Sequence, residues 1–357
     1  MSKRWMIYGA NGYTGRLVAE LAVRRGLQPV LAGRNAERVA AIAAELSLPH
    51  RVLDLARPAE LRHGLEDVDA VLHTAGPFSA TSAPMVQACL DTHTHYLDVT
   101  GEIAVFEEVF FRDDDARKAG IALIPGVGFD VVPTDCLAAM VAQELPGATR
   151  LEIAILGLGS MSQGTWKSSI EGMARGAFIR RDGRIVPVPA AWKRRRIPFP
   201  HKTLDAVTIP WGDVSTAYRT TGIPTIYTYM AFPPAMRRAL PIIDRLRPVL
   251  RAGRVHNAIQ RVVERAVKGP DAQARARGFS DVWVEASDDK GAVVTGTLTG
   301  PDGYSMTADA AIRAVLTVLD DMVQPGAWTP ARAFGPEFVR KLEGVTIHPL
   351  RRDSRPI

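Results

Sequence analysis

A short apolar run, Arg4–Tyr8, leads directly into Gly9-Ala10-Asn11-Gly12-Tyr13-Thr14-Gly15, and that into a segment of helical periodicity. No other feature restricts the fold as strongly. Glycines at the first, fourth and seventh positions of a strand-to-helix turn permit a tight reversal. They also let backbone N–H groups approach an anion at the positive end of the helix. G-x-x-G-x-x-G is a variant of the dinucleotide-binding fingerprint, weak by itself and strong in its context here. The first 130 residues alternate apolar runs with helical segments, the pattern of a parallel sheet. The runs are Arg4–Tyr8, Gln28–Ala32, Arg51–Leu55, Ala70–Thr74, His95–Val99 and Ile121–Pro125. Between them, Gly15–Arg25 places Leu17, Val18, Leu21 and Ala22 on one face, and Ala36–Leu46 does the same with Val39, Ile42, Ala43 and Leu46. The expected class is α/β, a Rossmann-type doubly wound sheet joined to a second, mixed α+β domain.

The second strand bears on which nucleotide is held. A site for the 2′-hydroxyl form has an acid about 20 residues beyond the fingerprint. Here the strand ends in Gly33-Arg34-Asn35, without an acid, and Arg34 can pair with a 2′-phosphate and stack on adenine. NADP is therefore the expected cofactor, bound by Gly9 to Gly15 and by Gly33, Arg34 and Asn35. Asp54 is placed to contact the adenine or to cap a helix. The reactive end of such a cofactor lies at the carboxyl ends of strands four to six. Ala75-Gly76-Pro77-Phe78 is expected against the ribose or nicotinamide. Tyr96, Asp98 and Glu102 bring the nearest titratable or donor groups, with Glu102 alternatively in a helix first turn. His73, inside an apolar strand, reads as a core histidine. Pro125-Gly126-Val127-Gly128-Phe129-Asp130 bends the chain into the second domain.

Beyond Pro133 a helix over 134–144 leads to a strand-like run, Arg150–Leu156, and then to a long Pro- and Arg-rich stretch. Asp281–Ala286 and Ala292–Thr299 read as a hairpin around Asp288-Asp289-Lys290-Gly291, and Met306–Leu319 as a helix. The expected division is 1–133 for the nucleotide domain and 134–305 for a substrate and dimerisation domain. Residues 306–357 form a helix and tail returning to the first. Within the second domain, the Ile209–Tyr218 segment has the aromatic, acid and hydroxyl content of a pocket wall, with Tyr218 a candidate catalytic donor; an ordinary loop is the other reading. Thr165, Ser169 and Glu171 form a second polar group of the same kind.

These motifs resemble, in succession, those of the saccharopine dehydrogenase-like oxidoreductases, with the trans-acting enoyl reductases as the most similar branch. The resemblance rests on Gly9 to Gly15, Ala32-Gly33-Arg34-Asn35, Ala75 to Phe78 and Tyr96 to Glu102. It extends to Pro125–Asp130, Ile209–Tyr218, Pro325-Gly326-Ala327-Trp328-Thr329-Pro330 and Ala333-Phe334-Gly335-Pro336. Asn11 departs from the family's more common Thr or Ser. The resemblance implies an NADP-binding Rossmann domain, a second domain inserted before the C-terminal return, and hydride transfer to an activated C=C bond or to an imine. The second domain is shorter than that of the lysine-pathway members, so their amino-acid-binding residues are not carried over.

Three alternatives stand beside an NADPH-dependent enoyl reductase acting on a small or acyl-type substrate. One is an imine or carbonyl reductase of amino-acid metabolism. Another is a dinucleotide-binding sensor without catalysis. The third, nucleic-acid binding through Lys193-Arg194-Arg195-Arg196, lacks interleaved aromatics, and no nucleic-acid partner is expected. The chain carries 44 Lys and Arg against 38 Asp and Glu, yet the surplus is local. Residues 175–202 hold nine basic residues against one acid, and 232–278 hold eleven against three. Those windows raise the expectation of an acyl-carrier or peripheral membrane contact, as does the amphipathic pattern over 255–267. A homodimer is a further expectation for the second domain. Two cysteines, Cys89 and Cys136, cannot build a disulfide framework and read as buried thiols. No metal-ligand spacing occurs. With no apolar run of 18 residues and a strand beginning near Lys3, a cytoplasmic protein is expected.

Overall fold

Apolar runs of three or four residues separated by amphipathic helices become short parallel strands, because each strand is buried on both faces by the helices that connect it. The computed structural model describes residues 3–158, 177–234, 237 and 269–354. The chain opens as β1 (Trp5–Tyr8), α1 (Tyr13–Arg24), β2 (Val30–Gly33), α2 (Ala36–Leu46), β3 (His50–Val52), α3 (Pro58–His63) and β4 (Ala70–His73). It continues through α4 (Phe78–Thr92), β5 (His95–Asp98), α5 (Ile103–Phe111), α6 (Asp113–Ala119) and β6 (Ala122–Ile124). All four residues of β1, β2 and β4 are buried, as is every residue of β6. Helix α1 turns Gly15, Val18, Ala19 and Ala22 inward, one stripe at helical spacing.

Next come α7 (Val132–Glu144), β7 (Arg150–Leu158), β8 (Ala177–Arg181), β9 (Arg184–Val188), β10 (Arg194–Pro198), β11 (Thr203–Thr208), α8 (Asp213–Thr221) and β12 (Thr225–Ala231). They are followed by α9 (Ala272–Arg277), β13 (Phe279–Ser287), β14 (Ala292–Pro301), α10 (Gly303–Leu319), β15 (Gly326–Ala327) and α11 (Pro330–Phe334). A 3-10 turn, Pro336–Lys341, precedes β16 (Thr346–Ile347) and β17 (Arg351–Ser354). The chain divides into two units, Met1–Val132 with Gly303–Gly335, and Pro133–Asp302 with Pro336–Ile357. The return to the first unit thus begins at Gly303 and ends at Gly335. Residues 336–357 lie in the second unit rather than the first, because β16 and β17 both pair with β14.

The first unit holds a seven-stranded sheet in the order β3-β2-β1-β4-β5-β6-β15. Every pairing is parallel. The order reverses between β1 and β4, and the crevice of such a sheet opens outside the carboxyl ends of those two strands. Helix α10 covers the sheet beside α1: Asp309, almost wholly buried, takes Arg25 from the end of α1 at 2.5 Å and Arg313 at 2.8 Å. The seventh strand was not expected from sequence; two residues are too few to show a period.

The second unit is built on a ten-stranded mixed sheet, β10-β11-β12-β7-β13-β14-β16, with β8 and β9 attached through β12 and β17 through β14. Among the described strands of this sheet only β12 and β7 pair in parallel. The expected hairpin is β13–β14, in antiparallel register from Phe279↔Pro301 to Ser287↔Val293. The Pro- and Arg-rich stretch forms three strands, β8, β9 and β10. Its prolines are tolerated because β9 pairs only with β8 and β10 only with β11, so neither strand needs every amide. Ala154, Tyr227, Tyr229 and Trp283 pack with Ile179, Ile197 and Phe199 in one apolar cluster. Helix α7 lies close on β14, where a Cβ added to Gly296 would stand 2.8 Å from Val141.

Both cysteines are buried thiols, neither in a disulfide. Among the described residues no helix is long and apolar enough to cross a membrane. Thr165, Ser169, Glu171 and the 255–267 pattern lie outside the described residues.

The glycine loop is packed backbone on backbone. A Cβ on Gly15 would lie 2.3 Å from the Gly9 carbonyl oxygen, a contact that a rotamer change cannot relieve. Gly15→Ala is expected to lower stability by about 1–3 kcal/mol, as over-packing does. Thermal unfolding checks this; an unchanged midpoint would contradict the packing described.

Candidate functional site

The carboxyl ends of β1 and β4 set the site. Strand β1 exits into Gly9 with φ +87°, a left-handed conformation that glycine adopts without strain. The Gly9 and Ala10 amides donate to the Ala32 carbonyl at 2.8 and 3.2 Å, and the Gly12 amide turns back to the Gly9 carbonyl at 2.9 Å. A Cβ on Gly9 would stand 2.8 Å from the Ala75 backbone, so the two strand exits touch. Gly12, exposed, meets only the Gly9 carbonyl. Helix α1 then starts with no side-chain cap and no acid in its first turn. An uncapped helix N-terminus behind a glycine turn is a cradle for a phosphate. Of the rest of the fingerprint, Tyr13 packs edge-on against Tyr304, Thr14 is half-buried, and the Asn11 amide oxygen lies over Gly33.

At the tip of β2, Arg34 is exposed and faces the same neighbourhood as Asp54. Burial pushes the Tyr8 phenol up to about 12, the Asp54 carboxylate adds to that shift, and the Arg34 guanidinium opposes it. Asn35 is occupied locally: its side chain caps α2 by accepting from the Arg38 amide at 2.9 Å. Asp54 caps no helix; its carboxylate closes a turn by accepting from the Ala56 amide at 3.0 Å. These residues fit a dinucleotide with a negative group beyond β2, since Arg34 is the charged side chain at that tip and β2 itself ends without an acid.

The loop after β4 is fixed from beneath. Thr81 donates its hydroxyl to the Ala75 carbonyl at 2.6 Å and also lies 3.1 Å from the Pro77 carbonyl. Its oxygen therefore accepts from His73 Nε2–H at 3.0 Å, which assigns the tautomer. Nδ1 of His73 has no hydrogen-bond partner, and burial drops the imidazole to about 3, so it stays neutral. Tyr8 stacks on it and Phe78 meets it edge-on. The sequence expectation of a core histidine holds, with one nitrogen committed to loop geometry. Gly76 is exposed, and Ala75 and Pro77 are half-buried beside it.

The residues expected to do acid–base work are arranged otherwise. Tyr96 and Asp98 share one face of β5, two residues apart, and both are wholly buried. The tyrosine hydroxyl donates to Asp98 Oδ2 at 2.7 Å. Oδ1 accepts from the Thr100 amide at 2.9 Å and the Gly126 amide at 2.8 Å, and the Asp98 carbonyl accepts from Val127 at 2.8 Å. The pair clamps the exits of β5 and β6 together; enclosed in this way, neither side chain is presented to a ligand. Glu102 is likewise engaged. Its two carboxylate oxygens accept from the Phe78 and Ser79 amides at 2.9 and 3.0 Å, capping α4 from 24 residues away rather than lying in a first turn of its own helix. The 125–130 segment is held by Asp98 on one side and, through the Phe129 amide and Thr307 Oγ1 at 3.0 Å, by α10 on the other. Thr81, Glu102 in this role and Thr307 carried no sequence signal, because each acts on a partner distant in the chain or through a backbone group.

In the second unit, the Ile209–Tyr218 segment is not an open loop. It enters α8, where Asp213, Ser215 and Thr216 are fully buried. Tyr218 is half-buried with the Arg180 guanidinium 4.2 Å from its ring centre. Tyr218 thus belongs to a different unit from Tyr96 and Asp98. Among the described residues no group of three His, Cys, Asp or Glu side chains is placed to hold a metal.

A parallel sheet of this order, with a glycine cradle at its switch point, defines a Rossmann-type dinucleotide-binding unit. Residues 5–124 match the family model described as the saccharopine dehydrogenase NADP binding domain. The chain is 25% identical over 249 residues to the saccharopine dehydrogenase-like oxidoreductase of Bos taurus, covering 60% of this chain and 58% of that one. It is 35% identical over 138 residues to the trans-acting enoyl reductase of Mycobacterium leprae, covering 36% of this chain and 33% of that one. Among solved structures, apo saccharopine dehydrogenase (L-Glu forming) from Saccharomyces cerevisiae shares the fold, with a TM-score of 0.69 at 14% identity over 99% of this chain and 100% of that one. The chain is thus similar to saccharopine dehydrogenase-like oxidoreductases, and its first unit matches a nicotinamide dinucleotide-binding domain. It spans 58% of the length of the mammalian relative.

Asp98 supplies a pH test of the clamp. Burial raises its carboxyl from 3.8 to about 6, against the hydrogen bonds from Thr100, Tyr96 and Gly126 that favour the ionised form. The folded chain therefore holds this proton where the unfolded chain has released it. The contribution to stability is full below the unfolded value and is lost as pH rises through about 6. Between pH 4 and 6.5 the loss should approach ~3 kcal/mol at most. Asp98→Asn should flatten that part of the profile in unfolding experiments; parallel profiles would refute the assignment.

Proposed function

We propose that the chain is an NADP(H)-dependent oxidoreductase that reduces an activated C=C bond of a small or acyl-type substrate. The observation that carries the cofactor choice is Arg34, exposed at the tip of β2, a strand that ends without an acid. The backbone from Gly9 to Gly15 would hold the pyrophosphate. Arg34 would pair with the 2′-phosphate, and the loop from Ala75 to Phe78 would border the reactive half. When bound, the nicotinamide supplies or accepts a hydride. The chain's own contribution is to bind and orient: Thr81 and His73 fix the Ala75 carbonyl, and Glu102 fixes the entry to α4. The enoyl specificity is supported by the partial similarity to the mycobacterial enoyl reductase.

A second reading is favoured by the buried state of Tyr96 and Asp98: a dinucleotide-binding sensor without turnover. NADPH oxidation measured with enoyl thioesters, imines and simple carbonyl compounds separates the readings. Turnover confined to the enoyl class supports the first. Turnover of imines or carbonyls alone points to amino-acid chemistry, and tight NADPH binding without turnover supports the sensor. Arg34→Asp should lower the NADPH-over-NADH affinity ratio on the order of 100-fold, equivalent to roughly two charge-assisted hydrogen bonds. Fluorescence titration of both nucleotides checks this, and an unaltered ratio would remove Arg34 from the site.

A further inference from the structure

The Lys193-Arg194-Arg195-Arg196 run, unexplained by nucleotide binding, lies in and just before β10 at the edge of the second unit's sheet. Charge on an edge strand ordinarily discourages strand addition. That role does not account for Arg195. Its guanidinium bonds Glu152 on β7 and, at 2.8 and 2.9 Å, both carboxylate oxygens of Glu285 on β13. These strands stand three and four places from β10 in the sheet order, so the sheet curls until its edge meets its middle. Glu152 and Glu285 are direct cross-strand partners, a like-charge pairing that needs a cation between them. Both are nearly buried, and Arg195 further lies 4.6 Å from the centre of the Trp283 ring. The guanidinium is thereby locked in one position.

Around this locked ion opens a cavity of about 330 Å³, whose lining includes Arg150, Lys193, Arg194 and Arg195 against Glu152 and Glu285. Arg195 bonds both carboxylates and offsets one of their two charges, leaving three further cations. Arg150 has no ion pair among the described residues. The Lys193 ammonium rests 4.3 and 4.8 Å from the ring centres of Tyr227 and Trp192, with no carboxylate partner among those residues. The Arg194 charge falls on exposed Asp205, which Arg237 already engages directly and Arg196 also influences. Six charged side chains therefore give the cavity a surplus of two positive charges. Mouths of curled sheets are common ligand sites, and guanidinium with ammonium is the donor set that recognises phosphoryl oxygens.

We infer that this mouth is a binding site for a phosphoryl dianion, separate from the dinucleotide cradle and carried entirely by the second unit. Arg150, Lys193 and Arg194 contact the anion while Arg195 presents a fixed positive floor. Calorimetric titration of the full-length chain with inorganic phosphate and with glycerol 3-phosphate, each with and without saturating NADPH, tests it. Saturable binding of either probe that persists with NADPH is expected. Free phosphate alone would indicate an ion site, and the ester binding as well would indicate a phosphorylated ligand. Arg150→Gln and Arg194→Gln should each weaken binding by about 10-fold, the worth of one charge-assisted hydrogen bond. Arg196→Gln, an equal charge change on the same strand outside the cavity lining, should leave it unaltered. Thermal unfolding of each variant establishes that it is folded. No saturable binding overturns the inference. So does binding that NADPH abolishes, or binding that all three substitutions weaken equally.

Discussion

Two strand exits meet at the carboxyl edge of the first unit's sheet, with no room for a side chain between them. Gly9 and Ala75 stand so close that a methyl group at Gly9 would overlap the neighbouring backbone, and Gly15 presses on the Gly9 carbonyl from the other side. That contact brings β1 and β4 side by side where the strand order reverses. It therefore fixes both the parallel sheet and the crevice at its edge. Gly9 and Gly15 stand where no larger residue fits, and the absence of side chains leaves the start of α1 open to an anion.

Polar groups around the crevice mostly position backbone. Tyr96 and Asp98 tie the exits of β5 and β6, Glu102 caps α4, and His73 acts through Thr81 on the Ala75 carbonyl. These contacts are charge-assisted or buried, so each makes its loop stiffer than its sequence alone would. A rigid rim suits a site that must hold a long, flexible dinucleotide in one geometry. Chemistry on a substrate then depends on groups outside this clamp.

Much of this was legible in the residues. The alternation of apolar runs and helices marks six parallel strands, and the glycine spacing marks the cradle, because both follow from local geometry. Arg34 stands out in the sequence because the position after β2 has a defined task in such sheets. Burial was not. The spacing of Tyr96 and Asp98 puts them on one face of β5, yet nothing local says that this face is closed. Glu102 caps a helix that begins 24 residues earlier, and β15 is two residues long. The Pro- and Arg-rich segment resisted reading for another reason: edge strands accept the residues that usually end strands. Its charge belongs in part to a buried ion network on a curled sheet.

The central claim is that a nicotinamide dinucleotide lies at the β1/β4 switch point on the glycine cradle. Hydrogen–deuterium exchange of the full-length chain, with and without saturating NADPH, tests it most directly. Slowed exchange should concentrate in the amides of residues 9–16, 33–35 and 75–79. Exchange unaltered in those segments while NADPH is bound would contradict it.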